Sequence, residues 1–206
     1  MKTLVIDCAT EACSVALFDG DSLITGDFRV LGRGHAEQLV PMIAALPDKG
    51  KADLIAVALG PGSFTGVRVG LAAARALAFA WGAELVGYPT LALVAAIARA
   101  QHPGQATTVA MTGGHGEWFV QPFNGSGEAQ APLTSLSPEQ AAAQCQIALV
   151  AGSQAEALVT LRGTGTALAL LPDARAFTLL RPADLTADTA PLYGRGPDAR
   201  LPGVAA

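Results

Sequence analysis

At 206 residues the chain is long enough to bury a core, either as one large domain or as two small lobes. Hydrophobic residues make up 51%, charged residues only 15%, and the net charge is −4. So few charges cannot cover the whole surface, and some apolar surface is expected to lie against another protein. With no Lys/Arg run longer than two, the chain is a poor candidate for direct, strong binding to nucleic acid, which needs clustered cations.

Thr3–Cys8 reads as a buried strand ending at an acid, and a turn leads from Asp7 into a second strand, Cys13–Phe18. Asp19-Gly20-Asp21 is a turn signal, so Ser22–Val30 becomes a third antiparallel strand. His35–Leu46 carries Leu39, Met42, Ile43 and Leu46 at helical spacing, with Pro41 expected to kink or weaken it. Asp53–Leu59 is a strand, Phe64–Trp81 a strong helix, Leu85–Tyr88 a short strand and Thr90–Arg99 a helix.

His102-Pro103-Gly104 marks a boundary between an N-terminal lobe, 1–100, and a C-terminal lobe, 106–206. The pattern then begins again in abbreviated form. Thr107–Thr112 and Glu117–Phe123 read as strands, Pro138–Gln144 as a short helix and Ile147–Gly152 as a strand. A helix is expected from Ser153 and a further strand at Ala176–Leu180, while the tail from Pro191 wraps back. Two successive β-β-β-α-β-α blocks imply an α/β fold with mixed sheets and a duplicated architecture, without a residue-level repeat.

Three segments could carry chemistry. Asp7, beside Thr10 and Ser14, could hold a hydrated Mg²⁺ near a phosphate, or could simply hydrogen-bond its own turn. Gly60-Pro61-Gly62-Ser63 makes a sharp strand-to-helix turn with Ser63 as N-cap, which suits an anion or equally a close backbone approach. It is not a P-loop, since no GxxxxGK[ST] is present. In the helix that follows, Arg68 and Arg75 share one stripe, Gly66, Gly70 and Ala74 form a small-residue face, and the rest is apolar. Such a helix must be buried on more than one side, against its own sheet and against another helix of this chain or of a partner.

Other chemistry has little support. His35, His102 and His115 are scattered, with no HxxxH or HExxH, and no serine sits in GxSxG. Cys8, Cys13 and Cys145 form no CxxC and read as buried thiols of a reducing compartment. The first residues run straight into a strand pattern, and apolar stretches break before about 18 residues, so the expectation is a soluble cytoplasmic protein with no membrane span. No catalytic set, metal site or cofactor is implied.

At Ile6–Leu17, Gly32–Ile43, Gly60–Ala78, Gly87–Ala95 and Pro191–Pro202 the chain resembles the TsaB (YeaZ) family, once labelled glycoprotease-like. GPGSFTGVRVG from Gly60 to Gly70 is the most specific of these matches, and the middle of the second lobe matches poorly. The resemblance implies two actin/Hsp70-like lobes and a non-catalytic subunit that pairs with its paralogue TsaD and, through that pair, with TsaE. TsaD would transfer threonylcarbamoyl to N6 of adenosine 37 in ANN-decoding tRNAs, so tRNA is met only indirectly. The metal-binding HxxxH of TsaD aligns here with Thr90 and Val94, and Val has no donor atom.

The resemblance places the partner on the first-lobe helices, through His35, Gln38, Leu39, Met42, Val67, Arg68, Leu71, Ala74, Arg75 and Ala78, with a homodimer when TsaD is absent. Asp7, Thr10, Gly60, Gly62 and Ser63 would be a vestigial nucleotide site. One departure stands out: the family's Asp-Ala-Arg-x-x-Glu-Val-Tyr stretch reads Thr112–Phe119 here and keeps only the glutamate and aromatic character. Two other readings compete with the scaffold: a stand-alone nucleotide enzyme resting on Asp7 and the Gly60–Ser63 turn, and an unrelated binding module or chaperone.

Overall fold

The computed structural model describes residues 1–194. The described part of the tail, Pro191–Gly194, runs back over the first sheet as expected, with Leu192 N–H donating to Leu59 O at 2.8 Å; the rest of the tail match, to Pro202, lies outside the described residues.

Two five-stranded sheets share one plan. In the first, β1 (Lys2–Asp7), β2 (Ala12–Asp19), β3 (Ser22–Val30), β4 (Leu54–Ala58) and β5 (Glu84–Tyr88) lie in the order β3-β2-β1-β4-β5. In the second, β6 (Thr107–Thr112), β7 (Trp118–Phe123), β8 (Thr134–Leu136), β9 (Leu149–Ala151) and β10 (Thr166–Leu168) lie in the order β10-β9-β6-β7-β8. Each block opens with an antiparallel meander and then adds two parallel strands beside its first strand. The duplication expected from the element order is therefore present in the topology.

Helices supply the parallel crossovers. α1 (His35–Ala44) and α2 (Phe64–Trp81) belong to the first block, and α4 (Pro138–Gln144) and α5 (Ala155–Arg162) to the second. α1 runs through Pro41, which sits on its exposed side, so the carbonyl it leaves unpaired is on the solvent side. α2 begins where expected: Ser63 Oγ accepts from Gly66 N–H at 3.2 Å, and Gly82 ends the helix in the left-handed conformation.

The two halves exchange elements. α3 (Thr90–Gln101) follows the first sheet, yet Leu91, Val94, Ala95 and Ala98 bury against Val109, Met111, Phe119 and Phe123 of the second. In return, residues 174–179 pack on the first sheet, with the Phe177 ring 6.1 Å from Phe18 and 6.0 Å from Tyr88. The strand expected at Ala176–Leu180 is thus a 3₁₀ turn, Ala174–Leu179. Asp173 caps it, Ala174 N–H donates to Ser14 Oγ at 2.9 Å, and the strand place beside β9 is taken by β10.

Candidate functional site

The Gly60–Ser63 turn is built for close approach to the β1–β2 turn. A Cβ on Gly62 would run into the Ala9 carbonyl, and one on Gly66 into the Cys8 carbonyl. Ser63 N–H donates to Ala9 O at 2.7 Å, so one of the amides that could greet an anion is already used. The close backbone approach is present at this turn.

Asp7 lies beneath the same turn, 1% exposed. Its Oδ1 accepts from Ala9 N–H at 3.0 Å and its Oδ2 from the Tyr88 hydroxyl at 3.1 Å. Burial pushes its carboxyl up to about 7, opposed by the Ala9 and Tyr88 hydrogen bonds. Thr10 Oγ1 accepts from Ala12 N–H at 3.2 Å, so both residues serve the turn. The carboxylate faces Tyr88 rather than open solvent, an arrangement that matches the turn-holding alternative for Asp7. On the outer side, His35 Nε2 lies 2.8 Å from Thr10 O and 3.3 Å from Ala12 O. Both partners are carbonyls, so Nε2 must carry the proton.

Between the two sheets opens a largely apolar cleft of about 1000 Å³. Thr10, Gly62 and Ser63 line it, joined by Phe119 and Tyr193, whereas Asp7 and Gly60 are buried. On its rim the Arg68 guanidinium sits 3.3 Å above the centroid of the Phe64 ring and donates to the Tyr193 hydroxyl at 2.9 Å. Arg75 donates to Thr189 O at 2.8 Å. The two arginines on one stripe therefore hold the C-terminal segment along α2.

The helix pair requires a correction. His35, Leu39, Met42, Val67, Leu71, Ala74 and Ala78 are all buried within this chain, so they cannot be the surface a partner meets. Gly66, Gly70 and Ala74 face inward as well, where the small residues let α2 approach β1 and Cys8. Gln38, Arg68 and Arg75 remain accessible. What the helices do present is a second apolar face. Ala72, Ala76, Phe79 and Ala80 make one exposed stripe on α2, and Val40 and Ala44 another on the neighbouring α1. Phe79 is 93% exposed and Val40 62%.

A family described as TsaD: tRNA N6-adenosine threonylcarbamoyltransferase matches residues 29–159, more than half of the chain. The chain is 38% identical over 100 residues to the tRNA threonylcarbamoyladenosine biosynthesis protein TsaB of Escherichia coli (strain K12), covering 46% of this chain and 43% of that protein. YeaZ from Pseudomonas aeruginosa superposes with a TM-score of 0.78 at 29% identity, over 93% of this chain and 99% of that structure. The chain belongs to the TsaD family, among its TsaB (YeaZ) members. The matched segment spans under half the length of the curated E. coli relative. The ethanolamine utilization protein EutJ from Carboxydothermus hydrogenoformans shares the actin-like fold alone, with a TM-score of 0.52 at 15% identity over 88% of this chain and 90% of that one.

Within that family, the N-terminus of α3 is the place to test for a metal. Thr90 and Val94 are both fully buried there, and among the described residues Thr90 Oγ1 has no hydrogen-bond partner. One hydroxyl beside an isopropyl group does not make a coordination set, and the described residues hold no cluster of three His, Cys, Asp or Glu side chains. The residues do not fit a metal. No described helix is long and apolar enough to cross a membrane.

Proposed function

We propose that this chain is a non-catalytic subunit of tRNA threonylcarbamoyladenosine biosynthesis, the pathway named for its E. coli relative. It pairs with a TsaD-type transferase through the exposed face of α1 and α2. The observation that carries this reading is the stripe of Ala72, Ala76, Phe79 and Ala80, with Phe79 93% exposed, on a helix that neighbours α1 and its exposed Val40. A phenylalanine left in water on a helix whose other side is fully buried supports a protein partner, because a contiguous apolar patch gains free energy only when covered. Arg68 and Arg75 lie beside that stripe on α2, where an interface carries its polar rim.

In this reading TsaD performs the transfer of threonylcarbamoyl to N6 of adenosine 37 in ANN-decoding tRNAs, and TsaE docks on the pair. The present chain stabilises and positions TsaD, touches tRNA only through it, and forms a homodimer by the same face when TsaD is absent. The sealed Asp7 and the donor-poor Thr90 and Val94, among the described residues, support that division of labour. Reconstitution tests it: TsaD, TsaE, the threonylcarbamoyl donor and an ANN-decoding tRNA should yield modified adenosine only when this chain is added. Modification by this chain alone, or by TsaD without it, would refute the assignment.

A further inference from the structure

Cys8 and Cys13 flank the β1–β2 turn, five positions apart, with their sulfurs 3.2 Å from each other. They come directly after Asp7 and before Ser14, which face each other as the last pair of the β1–β2 ladder. Cross-strand Cα atoms at such a position lie about 4.5–5.5 Å apart, inside the span of about 4.4–6.8 Å that a disulfide bridges. Closing the bond therefore needs the sulfurs to approach by about 1 Å, with the turn left in place. Cys145, by contrast, is half-buried at the end of α4.

We infer that Cys8 and Cys13 are a disulfide-forming pair, oxidised by hydrogen peroxide and reopened by a thiol. Either sulfur can donate in the S–H···S contact between them; with Cys8 as the donor, the Cys13 thiol is held below its usual range and Cys13 is the attacking sulfur. Its thiolate attacks one peroxide oxygen; the O–O bond breaks, one water leaves after protonation, and Cys13 becomes a sulfenic acid. The Cys8 sulfur then attacks the Cys13 sulfur, the S–S bond forms, and the hydroxyl departs as a second water with the Cys8 proton. Two thiols are oxidised by two electrons and one peroxide is reduced to two waters.

The position of the pair gives the bond a consequence. The Cys8 and Ala9 carbonyls are the seats of Gly66 and Gly62, and His35 holds Thr10 O and Ala12 O from the side of α1. A Cys8–Cys13 bond thus pins the turn on which both helices rest. Because both sulfurs are buried, oxidation waits on opening of that turn and is slower than at Cys145. This inference does not depend on the proposed function.

The test treats the full chain with hydrogen peroxide, removes excess oxidant, unfolds it and counts thiols, with peptide mapping by mass spectrometry. A Cys145→Ser variant removes the competing sulfur at a partly exposed site. The expected result in that variant is loss of both remaining thiols, a mass lower by two hydrogens, a Cys8–Cys13 cross-linked peptide, and full recovery with dithiothreitol. Two thiols still titratable after prolonged exposure, or Cys8 and Cys13 recovered as separate sulfinic acids, would overturn it.

Discussion

Arg68 and Tyr193 stand 125 positions apart in the chain, yet the Arg68 guanidinium donates to the Tyr193 hydroxyl at 2.9 Å while resting on the Phe64 ring. Together with Arg75 on Thr189 O, this contact straps residues 189–193 to α2. The partners are exposed, so Arg68→Ala should cost no more than about 1 kcal/mol of global stability. Local protection should fall much further. Hydrogen exchange of 189–194 is expected to rise in the variant while exchange in β1 and β4 stays unchanged.

The glycines of α2 and the turn before it should respond oppositely to the same added methyl group. Gly62→Ala and Gly66→Ala drive a Cβ into the Ala9 and Cys8 carbonyls, and backbone cannot step aside cheaply. Each should lose about 2–4 kcal/mol in denaturant unfolding. Gly70→Ala meets only Cys8, Val57 and Ile6 side chains at ordinary contact distances, 3.6–3.8 Å. There the helix-propensity gain of up to about 1 kcal/mol should leave stability equal or higher.

Asp7 makes stability fall as pH rises. Its carboxyl is raised by burial to about 7 in the folded protein from 3.8. The folded state therefore holds a proton that the unfolded state has released across that window. The contribution is fully present below about pH 4 and is lost as pH climbs through about 7. Asp7→Asn should match wild type near pH 4 and exceed it at pH 8, by at most about 4 kcal/mol. Parallel pH profiles for the two proteins would remove Asp7 as the cause.

Much of this architecture was legible in the residues. Runs such as Leu4–Ile6 and Ile55–Ala58 are continuous apolar strands, and Ser63 and Gly82 mark the two ends of α2. Thr134–Leu136 and Thr166–Leu168 escaped because strands of three residues carry no periodicity. Ala176, Phe177 and Leu180 resembled a strand because their apolar side chains pack on the first sheet from a 3₁₀ turn and its C-terminal end. The helix face was harder still. α2 is apolar nearly all round, so periodicity could not tell the side buried on its own sheet, Val67, Leu71, Ala74 and Ala78, from the side left open, Ala72, Ala76 and Phe79. Arg68 and Arg75 were visible as a stripe, but their partners at Tyr193 and Thr189 are too distant in the chain for local reading.

The open face separates stability from binding. Phe79→Asp changes a side chain that is 93% exposed, so unfolding should shift by no more than about 0.5 kcal/mol. If Phe79 anchors the partner, the same change should cost at least about 2 kcal/mol of binding, a loss of roughly thirtyfold or more in affinity.

Light scattering coupled to size-exclusion chromatography, on the wild-type chain and on Phe79→Asp, each alone and mixed with TsaD, reads this most directly. The account predicts a one-to-one complex for wild type that replaces its homodimer, and a monomeric variant that no longer joins TsaD. A variant that binds TsaD as tightly as wild type, or a wild-type chain that elutes apart from TsaD, would contradict the assignment of this helix face as the partner surface.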